Sequence, residues 1–192
     1  MSEKDKIKWN NKYNQTPKLL EQRPQSEKLD SVLKYTNGKK ALDVACGSGR
    51  NSIFLAKEGF EVTAIDISEV ALKALNEQNH KNINTKQVDL EEFSFEENSY
   101  DLIIMTNFLD RKIIPKLKTA LKQNGVLFIE TYMFHDENEK PPSNPNFLLK
   151  QGELKTFFDD MFEVLEYDEF FNENYELYKM RKQVILVKRR QC

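Results

Sequence analysis

The sequence predicts an α/β fold: a mostly parallel sheet covered by helices on both faces. Three observations carry this. Apolar, β-rich runs alternate with helical stripes from residue 41 to residue 130, and such alternation marks parallel strands joined by helical crossovers. Tyr100 to Thr106 is nearly all apolar, as a central strand covered on both faces must be. Near the C-terminus, two β-rich runs flank Asn172-Glu173-Asn174, which predicts a hairpin and therefore at least one antiparallel strand.

Each element has its own local reason. Ser26 is placed to cap a helix through Tyr35, because Leu29, Val32 and Leu33 recur at helical spacing. Asn37-Gly38 ends it. Ala41 to Ala45 is a short strand interrupted by one acid, Asp43, and runs into Cys46-Gly47-Ser48-Gly49. Ile53, Phe54, Leu55 and Ala56 then open a helix that stops at Gly59. Phe60 to Ile67 is β-rich and contains Asp66, and Ser68 caps a helix whose stripe is Val70, Ala71, Leu72 and Leu75. A short strand over 83–88 ends at Asp89. Ile113, Ile114, Leu117 and Leu121 form a helix stripe closed by Asn124-Gly125, and Val126 to Glu130 is another buried strand. Residues 132–147 are a loop rich in Pro, Asn and Glu, a short helix follows at 150–158, and Phe162–Phe171 and Glu176–Lys188 are the hairpin strands.

The 192 residues suit one domain that buries roughly 70% of its unfolded surface. Hydrophobic residues are 39% and include 13 Phe, enough for a packed core without a disulfide or metal staple. Charges balance, 29 Lys and Arg against 31 Asp and Glu, so no overall field draws in nucleic acid. Cys46 and Cys192 form no CxxC pair, and two separated His residues give no zinc spacing. The first residues lack the apolar core of a signal peptide, and no apolar run spans a membrane. The expectation is a reduced, cytoplasmic protein.

Function is concentrated in Asp43-Val44-Ala45-Cys46-Gly47-Ser48-Gly49-Arg50-Asn51-Ser52. Glycines at the carboxyl end of a first strand let a ligand approach the backbone. The dinucleotide fingerprint G-x-G-x-x-G is incomplete, because Ser52 stands at its third position. Asp66 ends the second strand, where a carboxylate accepts bonds from both hydroxyls of a ribose. Asp89 ends the third. Taken singly, each acid is equally a turn former or helix cap.

With these residues in place, the chain resembles class I S-adenosylmethionine (SAM)-dependent methyltransferases. The motif-bearing stretch is residues 39–131. The resemblance implies a Rossmann-like three-layer sandwich of seven strands in the order 3-2-1-4-5-7-6, strand 7 antiparallel. It implies that Gly47 and Gly49 pass close to the methionine part of SAM, and that Asp43 holds its amino end directly or through water. Asp66 would bind the ribose with Ile67 beside the adenine, Asp89 and Leu90 would meet the adenine edge and face, and Asn107 and Phe108 would face the sulfonium and the acceptor. Ala45 departs from the pattern, since many members carry Gly there; crowding without exclusion of SAM is expected. A closer likeness is to the small TehB-like branch. It is carried by Trp9-x-x-x-Tyr13, which resembles the entry segment covering the cofactor; by Gly49-Arg50-Asn51-Ser52, which adds Asn51 to the cofactor contacts; and by residues 146–154. The resemblance extends over the chain as one domain, with a cap segment at 1–35, a possible lid at 132–149 and a hairpin at 160–190.

Methyl transfer from SAM is an in-line displacement at an already activated carbon, so alignment and desolvation suffice. S-Adenosylhomocysteine is the other product, and no metal is required. A base is needed only for a weakly acidic acceptor. Asp110, Glu130 and His135 are candidates and Tyr132 a polar contact, but none is assigned. Asp110 is equally a helix cap with Arg111 on the surface, and His135 a solvated loop residue. The loop at 132–147 either closes over the acceptor with the Trp9/Tyr13 segment or is a surface insertion. After the fourth strand the chain reads Thr106-Asn107-Phe108-Leu109, not the Asn-Pro-Pro-aromatic signature of many amino-methylating enzymes, so nucleic acid is not favoured. The expected partner is a small-molecule methyl acceptor, the protein being a monomer or homodimer. An RNA or protein methyltransferase, a non-catalytic SAM-binding module and a nicotinamide dehydrogenase are the rivals, the last disfavoured by Ser52 and the antiparallel end.

Overall fold

A computed structural model describes residues 3–172 and 174–191; Glu173 of the expected hairpin turn, and Cys192, lie outside the described residues. The order is α1 (Glu3–Gln15), α2 (Val32–Tyr35), β1 (Lys40–Val44), α3 (Arg50–Lys57), β2 (Glu61–Asp66), α4 (Glu69–Asn76), β3 (Ile83–Gln87), β4 (Tyr100–Thr106), α5 (Ile114–Ala120), β5 (Leu121–Tyr132), β6 (Phe162–Phe171) and β7 (Arg181–Arg189), with short 3-10 turns at Pro17–Leu20, Glu27–Ser31, Pro145–Phe147 and Glu153–Phe157. The sheet has seven strands in the order β3-β2-β1-β4-β5-β7-β6. β7 is antiparallel to both neighbours, and the other pairings are parallel. Among the described residues no helix is long and apolar enough to cross a membrane.

Strand alternation sorts the core into two layers. Leu42, Ile103, Leu127 and Ile185 face one side, where Ile113, Ile114 and Leu117 of and beside α5 cover them. Ala41, Leu102, Ile104, Phe128 and Leu186 face the other, under Leu29, Val32, Ile53 and Leu55. Inward positions on both faces are filled mostly by aliphatic side chains, the pattern that parallel strands require.

Four local readings are corrected. α1 had no sequence signal because none of its residues is buried, so no apolar stripe exists to read. Ser26 precedes a 3-10 turn and makes no side-chain cap bond; its hydroxyl donates instead to Glu130. Leu121 belongs to β5, whose start precedes Asn124-Gly125. β7 begins at Arg181, not Glu176; the Glu176 carboxylate instead meets Arg23 at 2.8 Å and Arg50 at 2.9 Å.

Glu130 and Lys182 form a fully buried ion pair at 2.9 Å, which Ser26 joins. Burial lowers the Lys182 ammonium, but the charge and hydrogen bond of Glu130, with Tyr132 and Glu176, together outweigh it and hold the group above its ordinary value. Removing one member of such a pair strands the other charge. Lys182→Met therefore costs about 3–5 kcal/mol in urea unfolding, and adding Glu130→Leu recovers most of the loss. If the double variant proves no more stable than the single one, the ion pair is not what the single substitution disrupts.

Candidate active site

The carboxyl ends of β1, β2, β4 and β5 meet at one edge of the sheet, where open α/β folds bind ligands. Alternation decides what faces α3 there. Asp43 shares a face with Ala41, Asp66 with Ala64, Thr106 with Ile104, and Glu130 with Phe128, all on the α3 side. Polar ends of apolar strands are thus collected on one side of the cleft.

Asp43 is 1% exposed and accepts a 2.6 Å bond from the Ser52 hydroxyl. Ser52, which breaks the dinucleotide fingerprint, is therefore the partner that lets a carboxylate be buried. Burial raises the Asp43 carboxyl to about 7; the Ser52 hydroxyl opposes this, the Asp66 charge adds to it and Arg50 opposes it. Asp66 closes β2. One oxygen accepts from the Gly47 amide and the other from the Ser68 amide, both at 2.8 Å. Its carboxyl is raised by burial, against the pull of these amides and that of Ile67. Desolvation first, then the Asp43 and Asp66 charges, push the Cys46 thiol well up, so it is not poised as a thiolate nucleophile.

The glycine turn takes left-handed backbone at Ala45 (φ 55°), Gly47 (φ 56°) and Gly49 (φ 80°). A side chain on Gly49 would collide with Leu75, and a Cβ on Gly47 would stand 3.1 Å from the Tyr13 hydroxyl. At Ala45 an L-residue holds a conformation that suits glycine. Tyr13 reaches the turn because α1 docks on α4. Ser68 accepts from the Ala71 amide and donates to Asn10 at 2.7 Å. Trp9 lies beside Tyr13, ring centroids 5.9 Å apart. Burial, then the Asp66 charge, raises the Tyr13 phenol, which stays protonated.

The other expected residues divide. Asn107, also left-handed (φ 55°), closes β4 and buries a side-chain oxygen that has no hydrogen-bond partner. Ile67 is buried, and Leu90 is packed in the core with Phe108 against it. Asp89 accepts from the Glu91 amide at 2.9 Å, the turn-forming role. Asn51 is spent on the fold: it donates to Thr106 at 2.8 Å and accepts from the Ser26 amide at 3.3 Å. Asp110 caps the turn before α5 through the Lys112 amide, 2.9 Å. Arg111 is not a free surface cation. It binds Glu153 at 2.5 Å and the Asn146 and Leu148 carbonyls at 2.6 and 3.0 Å, clamping the far end of the 132–149 loop. The near end is stitched to the first residue of β7 by Met133 to Arg181 (2.9 Å) and Arg181 to Asn138 (2.7 Å). Within that loop the His135 ring nitrogen accepts from the Glu137 amide at 3.2 Å. Ser68, Asn10, Arg23, Glu176 and Lys182 were missed. Of these only Ser68 had a local signal, as a helix cap; the rest meet partners far away in the chain.

The orphaned Asn107 oxygen, the cradle at Gly47 and the two strand-end carboxylates fit SAM: acceptors for an ammonium and a ribose, and open backbone between them. Two outcomes test this geometry. Ala45→Gly relieves left-handed strain and raises stability by about 0.5–1 kcal/mol in chemical denaturation; a loss would mean the methyl group packs usefully. Because the folded Asp43 value is about 7, well above 3.8, its protonated form stabilises the fold fully in acid and that contribution fades as pH rises through 7. The melting temperature of Asp43→Asn minus that of the native chain should therefore grow by several degrees between about pH 4 and pH 8; a flat difference would show that Asp43 is ionised throughout.

The family model "Tellurite resistance protein TehB" matches residues 1–190. The chain is 35% identical over 144 residues, 70% of its length and 49% of the relative's, to the "Probable S-adenosyl-L-methionine-dependent methyltransferase TehB" of Haemophilus influenzae. It is 36% identical over 107 residues, 49% of its length and 45% of the relative's, to the ubiquinone biosynthesis O-methyltransferase of Glaesserella parasuis. The chain spans about half the length of these curated relatives. The crystal structure of TehB from Haemophilus influenzae superposes with a TM-score of 0.72 at 29% identity, over 85% of this chain and 62% of that one. A match that runs nearly end to end, on a fold that superposes with that of TehB, places the chain in the TehB family.

Proposed function

We propose that the chain is a SAM-dependent methyltransferase acting on a small-molecule acceptor. The observation that carries the reading is the Asp66 carboxylate at the end of β2, fixed by the Gly47 and Ser68 amides and directed at the cleft that α1 roofs. Family membership supports the reaction. Likeness to a ubiquinone biosynthesis O-methyltransferase supports an acceptor of small-molecule size.

Bound SAM supplies an activated methyl group on a sulfonium. Asp66 holds the ribose hydroxyls, Asp43 the ammonium directly or through water, and Asn107 offers its oxygen on the acceptor side. Arrival of an ammonium beside Asp43 favours the carboxylate over the acid. Tyr13 and Trp9 exclude water from above the glycine turn. Tyr132, whose phenol burial raises, stays protonated and donates to the acceptor. Asp110 and His135 are occupied in turns, so no base is assigned and the acceptor arrives as the nucleophile. The chain acts as one domain with α1 as its roof and the 132–149 loop beside the acceptor.

Asp66→Ala should weaken SAM binding in calorimetry by at least about tenfold while the melting transition persists; near-normal affinity would remove the ribose contact. Methyl-labelled SAM with a size-fractionated cell extract should place label in the small fraction. Label in the large fraction would mean an RNA or protein acceptor, and SAM binding without turnover a non-catalytic module.

A further inference from the structure

Arg23, in the irregular segment between the 3-10 turns Pro17–Leu20 and Glu27–Ser31, and Arg50, the first residue of α3, come from separate parts of the chain yet converge on one carboxylate. Glu176, on the β6–β7 connection, gives one oxygen to Arg23 at 2.8 Å and the other to Arg50 at 2.9 Å. The Glu176 side chain is 7% exposed and that of Arg50 10%. Two guanidiniums held this close are costly without an anion between them. The seat also carries more donors than Glu176 uses, since the Arg23 Nε is buried without a hydrogen-bond partner. A guanidinium offers a planar fork that suits a pair of oxygens, and Glu176 meets Arg23 through one of its nitrogens.

The seat lies beside the cleft already described. Arg23 is within charge range of Tyr13, and Arg50 within range of both Asp43 and Tyr132. Within the element carrying Glu176, Tyr175 donates to the Gln25 carbonyl at 2.9 Å, and Asn172 bridges Tyr178 and Met180. Lys179 is bound to Glu139 and Glu137 of the 132–149 loop, so displacement of the connection would carry that loop with it.

We propose that Arg23 and Arg50 form a carboxylate-binding subsite on the acceptor side of the cleft, that Glu176 occupies it as an internal stand-in, and that the methyl acceptor is a small molecule whose own carboxylate displaces Glu176. The acceptor class rests on the methyltransferase reading; the subsite itself does not. An incoming carboxylate gains the Arg23 Nε in addition to the nitrogens Glu176 uses, while the connection and the loop swing outward to admit the rest of the molecule.

The test is a titration of the full chain, saturated with S-adenosylhomocysteine, with acetate and separately with orthophosphate, followed by amide chemical shifts. Glu176→Gln removes the internal competitor and should tighten acetate about tenfold. Adding Arg23→Gln to that variant should abolish the gain. In the native chain, saturating acetate should speed hydrogen exchange at the Lys179 and Met180 amides, a readout that needs no variant. Equal acetate affinity in native and Glu176→Gln chains, with unchanged exchange, would overturn the proposal. Tightening of orthophosphate without acetate would overturn the carboxylate assignment. Failure of S-adenosylhomocysteine to bind would instead strike the methyltransferase reading and leave the acetate result to judge the subsite.

Discussion

One carboxylate organises the ligand-facing edge of this protein. Asp66 receives the Gly47 amide with one oxygen and the Ser68 amide with the other. The first contact sets the glycine turn and the second the entry to α4. Ser68 then holds Asn10, and through it α1, so that Tyr13 stands over Gly47. Turn, crossover and roof are therefore linked through a single side chain. Burial of that side chain is sustained because backbone amides, not bulk water, satisfy its charge.

A second polar chain runs along the same face. Thr106, Asn51, Ser26, Glu130 and Lys182 connect the ends of β4, β5 and β7 to the segment before α2. Both chains lie on the α3 side because Asp43, Asp66, Thr106 and Glu130 alternate in phase with residues of that core layer. Opposite them, the α5-side layer is built from aliphatic and aromatic side chains. The asymmetry places the buried strand-end polar groups on one side of the sheet.

The candidate acceptor side differs in kind. It is assembled from the segment after α1, the first residue of α3 and the β6–β7 connection, and its order comes from ion pairs between them. Connections carry specificity more readily than strands do, since their side chains are freed from packing duties. That division fits a fold family in which one cofactor cleft serves varied acceptors.

The sequence by itself determined the layering and the glycine turn at the end of β1, and the strand order followed from the family resemblance. β4, α3 and α4 are legible because their signals are local: apolar runs, a helical stripe, a cap at Ser68, glycines after a strand. Asp43, Gly47 and Asp66 are legible for the same reason, as strand-end acids around a glycine turn. α1 left no apolar stripe to read because none of its residues is fully buried, and β7 was started too early, at Glu176, whose carboxylate meets partners far away in the chain. Only the tertiary structure decided that Ser52 shields Asp43, that Asn51 serves the fold, and that Arg23, Arg50 and Glu176 meet. Arg23 and Glu176 are 153 residues apart, and such encounters follow from how elements pack, which no window of sequence contains.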